Sequence, residues 1–394
     1  MTDALMNTYA RLPVAFEEGR GARLWDTEGR EYLDAIAGIA VCGLGHAHPA
    51  VTAALCDQAG RLVHTSNLYR IPLQERLAER LTSAAGMERA FFCNSGAEAN
   101  EAALKIARRT GSQRGIAEPK VVVMEGSFHG RTLATLSATG NPAVQNGFEP
   151  LVAGFERVPW GDADAVAALA GREDIVAVLV EPITGEGGVG VPPADYLPRL
   201  RAICDDAGWL LMVDEIQTGI GRTGDLFASR GAGVSPDVLT LAKGLGNGVP
   251  IGACLARGGA AETLGPGTHG TTFGGSPLVS ATALAVLDTL EGEALPARAA
   301  ELGDRIAAGL RARLEGHTAV TAIRHRGLMI GVELDRPCKE LVQRGLEAGL
   351  LINVTAERVV RLLPPLIISE AEADTIAGQV ADLIEAFAPP GGES

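Results

Sequence analysis

Three places in this chain put reactive side chains where they can act. Lys243 ends the apolar run Asp237-Val238-Leu239-Thr240-Leu241-Ala242 and opens a glycine-rich loop, Gly244-Leu245-Gly246-Asn247-Gly248. There are only four lysines among the 34 basic residues, and the others are arginine. An amine at the end of a buried strand is costly unless it is used. Burial lowers its pKa and makes it a nucleophile toward carbonyls. The other reading is a lysine that snorkels to the surface from a strand edge. An apolar run by itself does not decide between them.

Asp214 follows five apolar residues, Trp209 to Val213. A carboxylate buried there needs a cationic partner. That partner is either one of the arginines or a protonated ring nitrogen of a cofactor. Ser95-Gly96-Ala97 opens a stretch of good helix formers. A free helix N-terminus offers unpaired N–H groups to a phosphate, and ordinary capping by Ser95 is the plainer reading. A phosphate cradle, a buried carboxylate and a strand-end amine are together what pyridoxal phosphate requires.

The elements that must position these groups are legible as apolar runs. Strands are expected at 90–93, 121–124, 176–180, 209–213 and 238–241, with helices over about 97–109 and 197–207. Continuous apolar strands separated by helices predict an α/β fold with a mainly parallel sheet covered on both faces. Ligands bind beyond the carboxyl ends of such strands. Here those ends carry Asn94-Ser95, Glu125 to Arg131, Glu181, Asp214-Glu215 and Lys243. Five polar ends in one sheet describe a site.

A hairpin is expected at 22–26 and 31–34 around Thr27-Glu28-Gly29-Arg30. Leu302, Ile306, Leu310 and Leu314 recur at helical spacing. Strands at 328–333 and 359–363 and a closing helix through Ile376, Val380 and Ile384 complete a smaller α+β part. The expected divisions are 1–50, packing with the smaller part, 51–290 as the large cofactor domain, and 291–394. The tail at 389–392 is expected to fray.

The formal net charge of −14 argues against nucleic acid and anionic membranes as partners. The six cysteines are scattered without a C-x-x-C pair, which favours free thiols and a cytoplasmic location. The first seven residues have no signal-peptide pattern, and no apolar run approaches a membrane span. His46 and His48 form an H-x-H without a third ligand at suitable spacing. Loop packing therefore outweighs a metal site, and no metal is expected.

The chain resembles the class III pyridoxal-phosphate aminotransferases, and within them the branch acting on N-acetylornithine. The motifs are Gly45-His46-Ala47-His48-Pro49, Asn94 to Glu101, Phe128-His129-Gly130-Arg131-Thr132, Asp214 to Gly219, Ala242-Lys243-Gly244 and Thr271 to Gly275. The resemblance implies the pyridoxal-phosphate-dependent transferase fold type I, with a large domain of seven-stranded type. It also implies a homodimer with shared active sites. It makes Lys243 the Schiff-base lysine and proton shuttle, and Asp214 the partner of the ring nitrogen. Gln217 would lie near the phenolic oxygen and Phe128 would stack on the ring. Ser95, Gly96 and Ala97 would hold the phosphate, with Thr272 reaching it from the other subunit.

The same resemblance implies substrates. Arg131 would grip the α-carboxylate of an N-acylated ornithine, and Arg361 that of glutamate or 2-oxoglutarate. Glu186 would neutralise Arg361 while the ω-amino donor is bound, and Tyr9 would contact the donor. His129 fits the acetylornithine branch. Thr184 stands where glutamine is usual, and Ser276 where asparagine is usual; neither change removes a catalytic group. The expected reaction moves the δ-amino group of N-acetylornithine to 2-oxoglutarate, in arginine biosynthesis. The alternatives are another ω-aminotransferase (succinylornithine, ornithine, 4-aminobutyrate or an acylated lysine), an isomerase or decarboxylase on the same fold, and a non-catalytic scaffold.

Overall fold

The computed structural model describes residues 4–389; the tail from Pro390 onward lies outside them. Near the N-terminus, β1 (Phe16–Arg20), β2 (Arg23–Asp26) and β3 (Glu31–Asp34) form an antiparallel meander. The β2–β3 turn forms because Asp26 Oδ1 accepts from the Glu28 and Arg30 amides, at 3.0 and 2.9 Å. That is the local bonding for which aspartate suits turns. The hairpin lies where the sequence placed it, and β1 is an addition to it.

The large sheet contains β4 (Arg89–Cys93), β5 (Lys120–Met124), β6 (Phe155–Val158), β7 (Ile175–Val180), β8 (Leu210–Asp214), β9 (Val238–Leu241) and β10 (Gly252–Ala256). Its order is β4-β10-β9-β8-β7-β5-β6. All pairings are parallel except those of β10, which runs antiparallel to both β4 and β9. Every residue of β7, β8, β9 and β10 is buried.

This sheet has a core on each side. Val178, Val180, Leu211, Val213, Leu239 and Leu241 belong to one apolar cluster. Val176, Leu179, Leu210, Met212 and Val238 belong to the other. Side chains that alternate across a pleat produce this division. The helix Gly96–Gln113 seals the second face with Ala102, Ala103, Ile106 and Ala107, whose small side chains let it lie close.

The C-terminal sheet joins β11 (Val320–Arg326), β12 (Met329–Leu334), β14 (Asn353–Thr355) and β15 (Val359–Leu362), in the antiparallel order β11-β12-β15-β14. The short β13 (Leu350–Leu351) pairs instead with β3, tying the N-terminal meander to this end of the chain. Helices Leu295–Leu314 and Glu370–Phe387 pack on each other, and Leu302, Ile306, Leu310 and Leu314 are all buried. Ser369 and Glu372 start the last helix with a reciprocal capping box.

Two helical glycines separate packing from propensity. A Cβ on Gly303 would collide with the backbone of Gly327, whereas one on Gly378 would meet nothing within 4 Å. Alanine gains about 1 kcal/mol of helix propensity over glycine, and overpacking against rigid backbone costs about 1–3 kcal/mol. Thermal unfolding should therefore show Gly378→Ala raising the melting temperature and Gly303→Ala lowering it. Equal shifts would mean that the Gly327 contact yields without cost.

Candidate active site

The carboxyl ends of β4, β5, β7, β8 and β9 converge on a cavity of about 390 Å³. Ser95, Gly96 and Ala97 line it from the helix start after β4. Phe128, His129, Gly130 and Arg131 come from the loop after β5, and Glu181 and Glu186 from beyond β7. Asp214, Ile216 and Gln217 come from the end of β8, and Lys243 from the end of β9.

Lys243 owes its position to the return of the chain into β10. It has φ +44° and opens the 3₁₀ turn Lys243–Leu245. A left-handed lysine is strained, and such strain concentrates at functional sites. The following loop is tied down through Asn247. Its Oδ1 accepts from Leu44 N at 2.8 Å, and its Nδ2 donates to Gly45 O at 3.1 Å. Burial pushes the Lys243 amine below the ordinary lysine value; Glu186 opposes this shift and Arg361 adds to it. Among the described residues the amine has no hydrogen-bond or ion-pair partner.

Asp214 is 4% exposed, and among the described residues no arginine pairs with it. Its Oδ2 accepts from Asn100 Nδ2 at 2.7 Å and lies 2.8 Å from His129 Nδ1; its Oδ1 accepts from Ile216 N at 3.0 Å. The neighbouring Glu215 turns the other way. It is consumed by Ser229 and by the amides of Ala228 and Ser229, and it does not line the cavity. Glu181 accepts from the Phe128 amide at 3.0 Å and the Gly185 amide at 3.2 Å. Burial holds its pKa above the usual carboxylate range, with His129 opposing and Asp214 reinforcing that shift.

Ser95 fulfils its plainer reading, since Oγ accepts from Glu98 N at 3.3 Å as a helix cap. It also lines the cavity, so the two readings are compatible. At Gly96 a Cβ would come within 2.7 Å of the Ile216 side chain, so only glycine lets the helix start approach this wall.

Arg361 is wholly buried on β15. Its Nη1 donates to Glu186 Oε1 at 2.6 Å and to Gln217 Oε1 at 3.3 Å, and its Nε donates to Asn353 Oδ1 at 3.1 Å. Its Nη2 is buried without a partner. The backbone of the Glu186 loop is held on all sides. Gly190 N donates to Thr184 Oγ1 at 2.9 Å, Arg324 donates to Gly188 O at 2.9 Å and Val189 O at 3.1 Å, and Thr355 Oγ1 donates to Glu186 O. Arg131 lies at the cavity wall, exposed, with its guanidinium carbon 5.8 Å from the Phe128 ring centroid.

Two expected residues stand apart. Tyr9 is exposed, does not line the cavity, and instead lies against Arg11. Thr272 is exposed and also absent from the cavity of its own chain. His46 Nε2 is 2.8 Å from Asp34 Oδ2, and that hydrogen bond raises its pKa to about 9. Its backbone pairs with that of Gly21, so both the side chain and the main chain of His46 tie this loop to the N-terminal meander.

Sequence reasoning assigned no role to Asn100 and left Glu181 as one polar strand end among five. The signal for Asn100 was present. It is a polar residue three and four positions from Ala103 and Leu104, on a helix face that is otherwise apolar.

The cavity can hold a flat, protonatable ring between apolar walls, with an anionic group at the helix start and a carbonyl carbon facing Lys243. The family model for class-III aminotransferases matches residues 5–384. The chain belongs to the class-III aminotransferases. A protein of Nitrosomonas europaea named acetylornithine aminotransferase is 56% identical over 97% of this chain and 98% of its own length. The ornithine aminotransferase of Toxoplasma gondii, in a structure described with partial occupancy of PLP at its active site, superposes with a TM-score of 0.94. It is 38% identical and covers 97% of this chain and 92% of that one. N-acetylornithine aminotransferase of Stenotrophomonas maltophilia superposes with a TM-score of 0.84 at 37% identity, covering 96% of this chain and 97% of that one. No helix of this class-III aminotransferase, among the described residues, is long and apolar enough to cross a membrane.

The lowered Lys243 pKa is directly measurable. In cofactor-free protein, the rate of Lys243 modification by an aldehyde reagent should reach half-maximum well below pH ~10.4, the ordinary lysine value. A midpoint at or above that value would show that burial is not felt at the amine.

Proposed function

We propose that this class-III aminotransferase binds pyridoxal 5′-phosphate and moves the δ-amino group of N-acetylornithine to 2-oxoglutarate, yielding N-acetylglutamate 5-semialdehyde and glutamate. The observation that carries this reading is one cavity lined by an unpartnered lysine, a buried aspartate and Arg131, with the buried Arg361 directly behind its wall, bonded to the lining residues Glu186 and Gln217. The residues fit the cofactor. An amine without a protein partner would meet its aldehyde, Asp214 would face its ring, Phe128 and Ile216 would supply apolar walls, and Ser95 to Ala97 would offer a helix start to its phosphate. When bound, pyridoxal phosphate supplies the electron sink that makes a C–H bond next to the amine acidic.

The remaining work falls to the chain. Lys243 is the residue that would hold the cofactor's aldehyde carbon in the resting protein, and its amine, once free, would move the proton that leaves the donor's Cδ. Asp214 would keep the ring nitrogen protonated. Arg131 receives the donor's α-carboxylate by bidentate pairing, which arginine suits better than lysine. During that half-reaction Glu186 keeps Arg361 neutralised. For 2-oxoglutarate, Glu186 moves aside and the carboxylate takes its place, and the unpaired Nη2 of Arg361 is a donor ready for it.

Dimer formation is part of the proposal. Thr272 is exposed next to Phe273 (63% exposed), and the segment tied to this loop carries the exposed Leu68 (87%) and Tyr69 (68%), apolar side chains that suit a protein–protein contact. Asn67 and Gln74 hold the two segments together by donating to Gly274 O at 3.1 and 3.3 Å. A second copy on this surface would bring Thr272 to the partner's phosphate site. A cytoplasmic location belongs to the same proposal and fits the six free cysteines.

Half-reactions followed by cofactor absorbance test this reading. N-acetylornithine alone should discharge the resting absorbance quickly, ahead of N-succinylornithine, ornithine and 4-aminobutyrate. A faster response to another of the four would reassign the donor. Lys243→Ala should abolish turnover. Arg361→Ala should slow the 2-oxoglutarate half-reaction roughly 100-fold, the scale for loss of a buried charge partner, while the donor half-reaction changes far less. Equal loss in both halves would make Arg361 structural.

A further inference from the structure

We infer that Asn100 is a positioning residue for the reaction. It occupies Asp214 Oδ2, so that Oδ1 is the oxygen offered to the cofactor's ring nitrogen. This rests on the reading of Asp214 as the ring partner.

The bonding around Asp214 is unequal. Oδ2 takes Asn100 Nδ2 at 2.7 Å and His129 Nδ1 at 2.8 Å, while Oδ1 takes only the Ile216 amide at 3.0 Å. A carboxylate oxygen has about two acceptor sites. Oδ2 is filled by the protein, and Oδ1 keeps one open. The orientation of the Asn100 amide follows from its neighbours. Asp214 Oδ2 and His129 O are both acceptors, so the NH₂ group faces them, the latter at 2.8 Å. Asn100 Oδ1 then faces Thr240 Oγ1, which donates to it at 2.8 Å. Thr240 is paired with Asp214 across β8 and β9, so the carboxylate and the group that orients its holder share one register.

The position asks for a reason. Asn100 is completely buried in a helix face whose neighbours Ala99, Ala102 and Ala103 are alanine. A buried amide there costs stability unless fully bonded, and alanine would fill the face without that demand. The helix that carries Asn100 also begins at Ser95 and Gly96. One rigid element thus carries, about one turn apart, the residues that would hold the cofactor's phosphate and the residue that holds Asp214. The titratable groups around this cluster are His129 on the loop after β5, Glu181 after β7 and Lys243 after β9, the last facing Glu186 and Arg361 in turn.

Asn100→Ala, Asn100→Asp and Asp214→Asn, each reconstituted with pyridoxal phosphate, test the inference. The readouts are the cofactor dissociation constant, the pH midpoint of the cofactor absorbance, and kcat and KM of the N-acetylornithine half-reaction. Asn100→Ala should lower kcat roughly 10- to 100-fold at every pH, with KM changed by less than about 2-fold, and weaken cofactor binding roughly 10-fold. Asn100→Asp carries the distinguishing signature. When two carboxylates lie at hydrogen-bond distance, one of them loses its proton only at a strongly raised pH. At acidic pH the substituted carboxyl is protonated and donates to Oδ2 as the amide does, so absorbance and kcat approach those of the parent. As pH rises it ionises, opposes Asp214, and both readouts fall away. A purely structural role would not produce that pH-dependent rescue.

If Asn100→Ala binds cofactor with parental absorbance and keeps kcat within about 2-fold, or Asn100→Asp follows the parental pH profile, the inference is overturned. Should Asn100→Ala fail to fold, Thr240→Val removes only the hydroxyl that orients the amide. It should shift the absorbance midpoint and lower kcat a few-fold, and an unchanged midpoint would overturn the proposal. If Asp214→Asn itself leaves absorbance and rate untouched, the ring-partner reading fails and this inference falls with it. If Asp214→Asn is damaging while the Asn100 variants are silent, only the inference fails.

Discussion

A carboxylate at the end of a strand with no solvent on either face sets the terms for the rest of this molecule. Desolvating such a group is tolerable only when donors surround it. Asp214 recruits them from three directions: the helix after β4, the loop after β5 and the turn after β8. Each of those segments also lines the cavity. Satisfying one buried charge therefore fixes where the walls stand. The same rule disposes of Glu215, which takes its donors from the opposite direction and leaves the site to its neighbour.

The second buried charge is handled differently. Arg361 is wholly enclosed, but its partner Glu186 is only partly buried, and one of the arginine's nitrogens is left unpaired. A fully saturated arginine would be inert toward a substrate carboxylate. An arginine with no counter-charge would be too costly to bury. A partner that can withdraw to water lies between these limits, and the proposed alternation of two substrates asks for that compromise.

The parallel strands were legible because β7, β8 and β9 are unbroken apolar runs, and their polar ends named most of the cavity. Lys243, Asp214, Ser95 and Phe128 could be found this way. β10 was not legible. Its run from Gly252 to Ala256 is short, rich in small residues and reverses direction, so nothing in periodicity sets it apart from the loop after Lys243. β6 carries Glu156 and Arg157 at the sheet edge, which hides its apolar pattern. Arg361 was placed by resemblance and not by pattern, because a charged residue inside Val359–Leu362 reads as a solvent-facing position, whereas here it is wholly buried. Tyr9 and Thr272 are exposed and do not line the cavity of this chain; they are named by resemblance, and no pattern in the sequence marks them. Asn100 was hidden by another effect. Its partners are far apart in sequence, and only the assembled sheet shows what it holds.

The loop from Thr184 to Gly190 bears on speed. Its carbonyls at Glu186, Gly188 and Val189 are each held by a side chain from the C-terminal part, and its ends are bridged through Thr184. With the main chain pinned, Glu186 can leave Arg361 only by turning about its own side-chain bonds. Rotations of partly exposed side chains occur within picoseconds to nanoseconds, whereas loop and domain rearrangements take microseconds or longer. In the proposed exchange of a substrate's carboxylate for the enzyme's own, the movement asked of the chain is therefore a side-chain rotation and not a rearrangement of the loop.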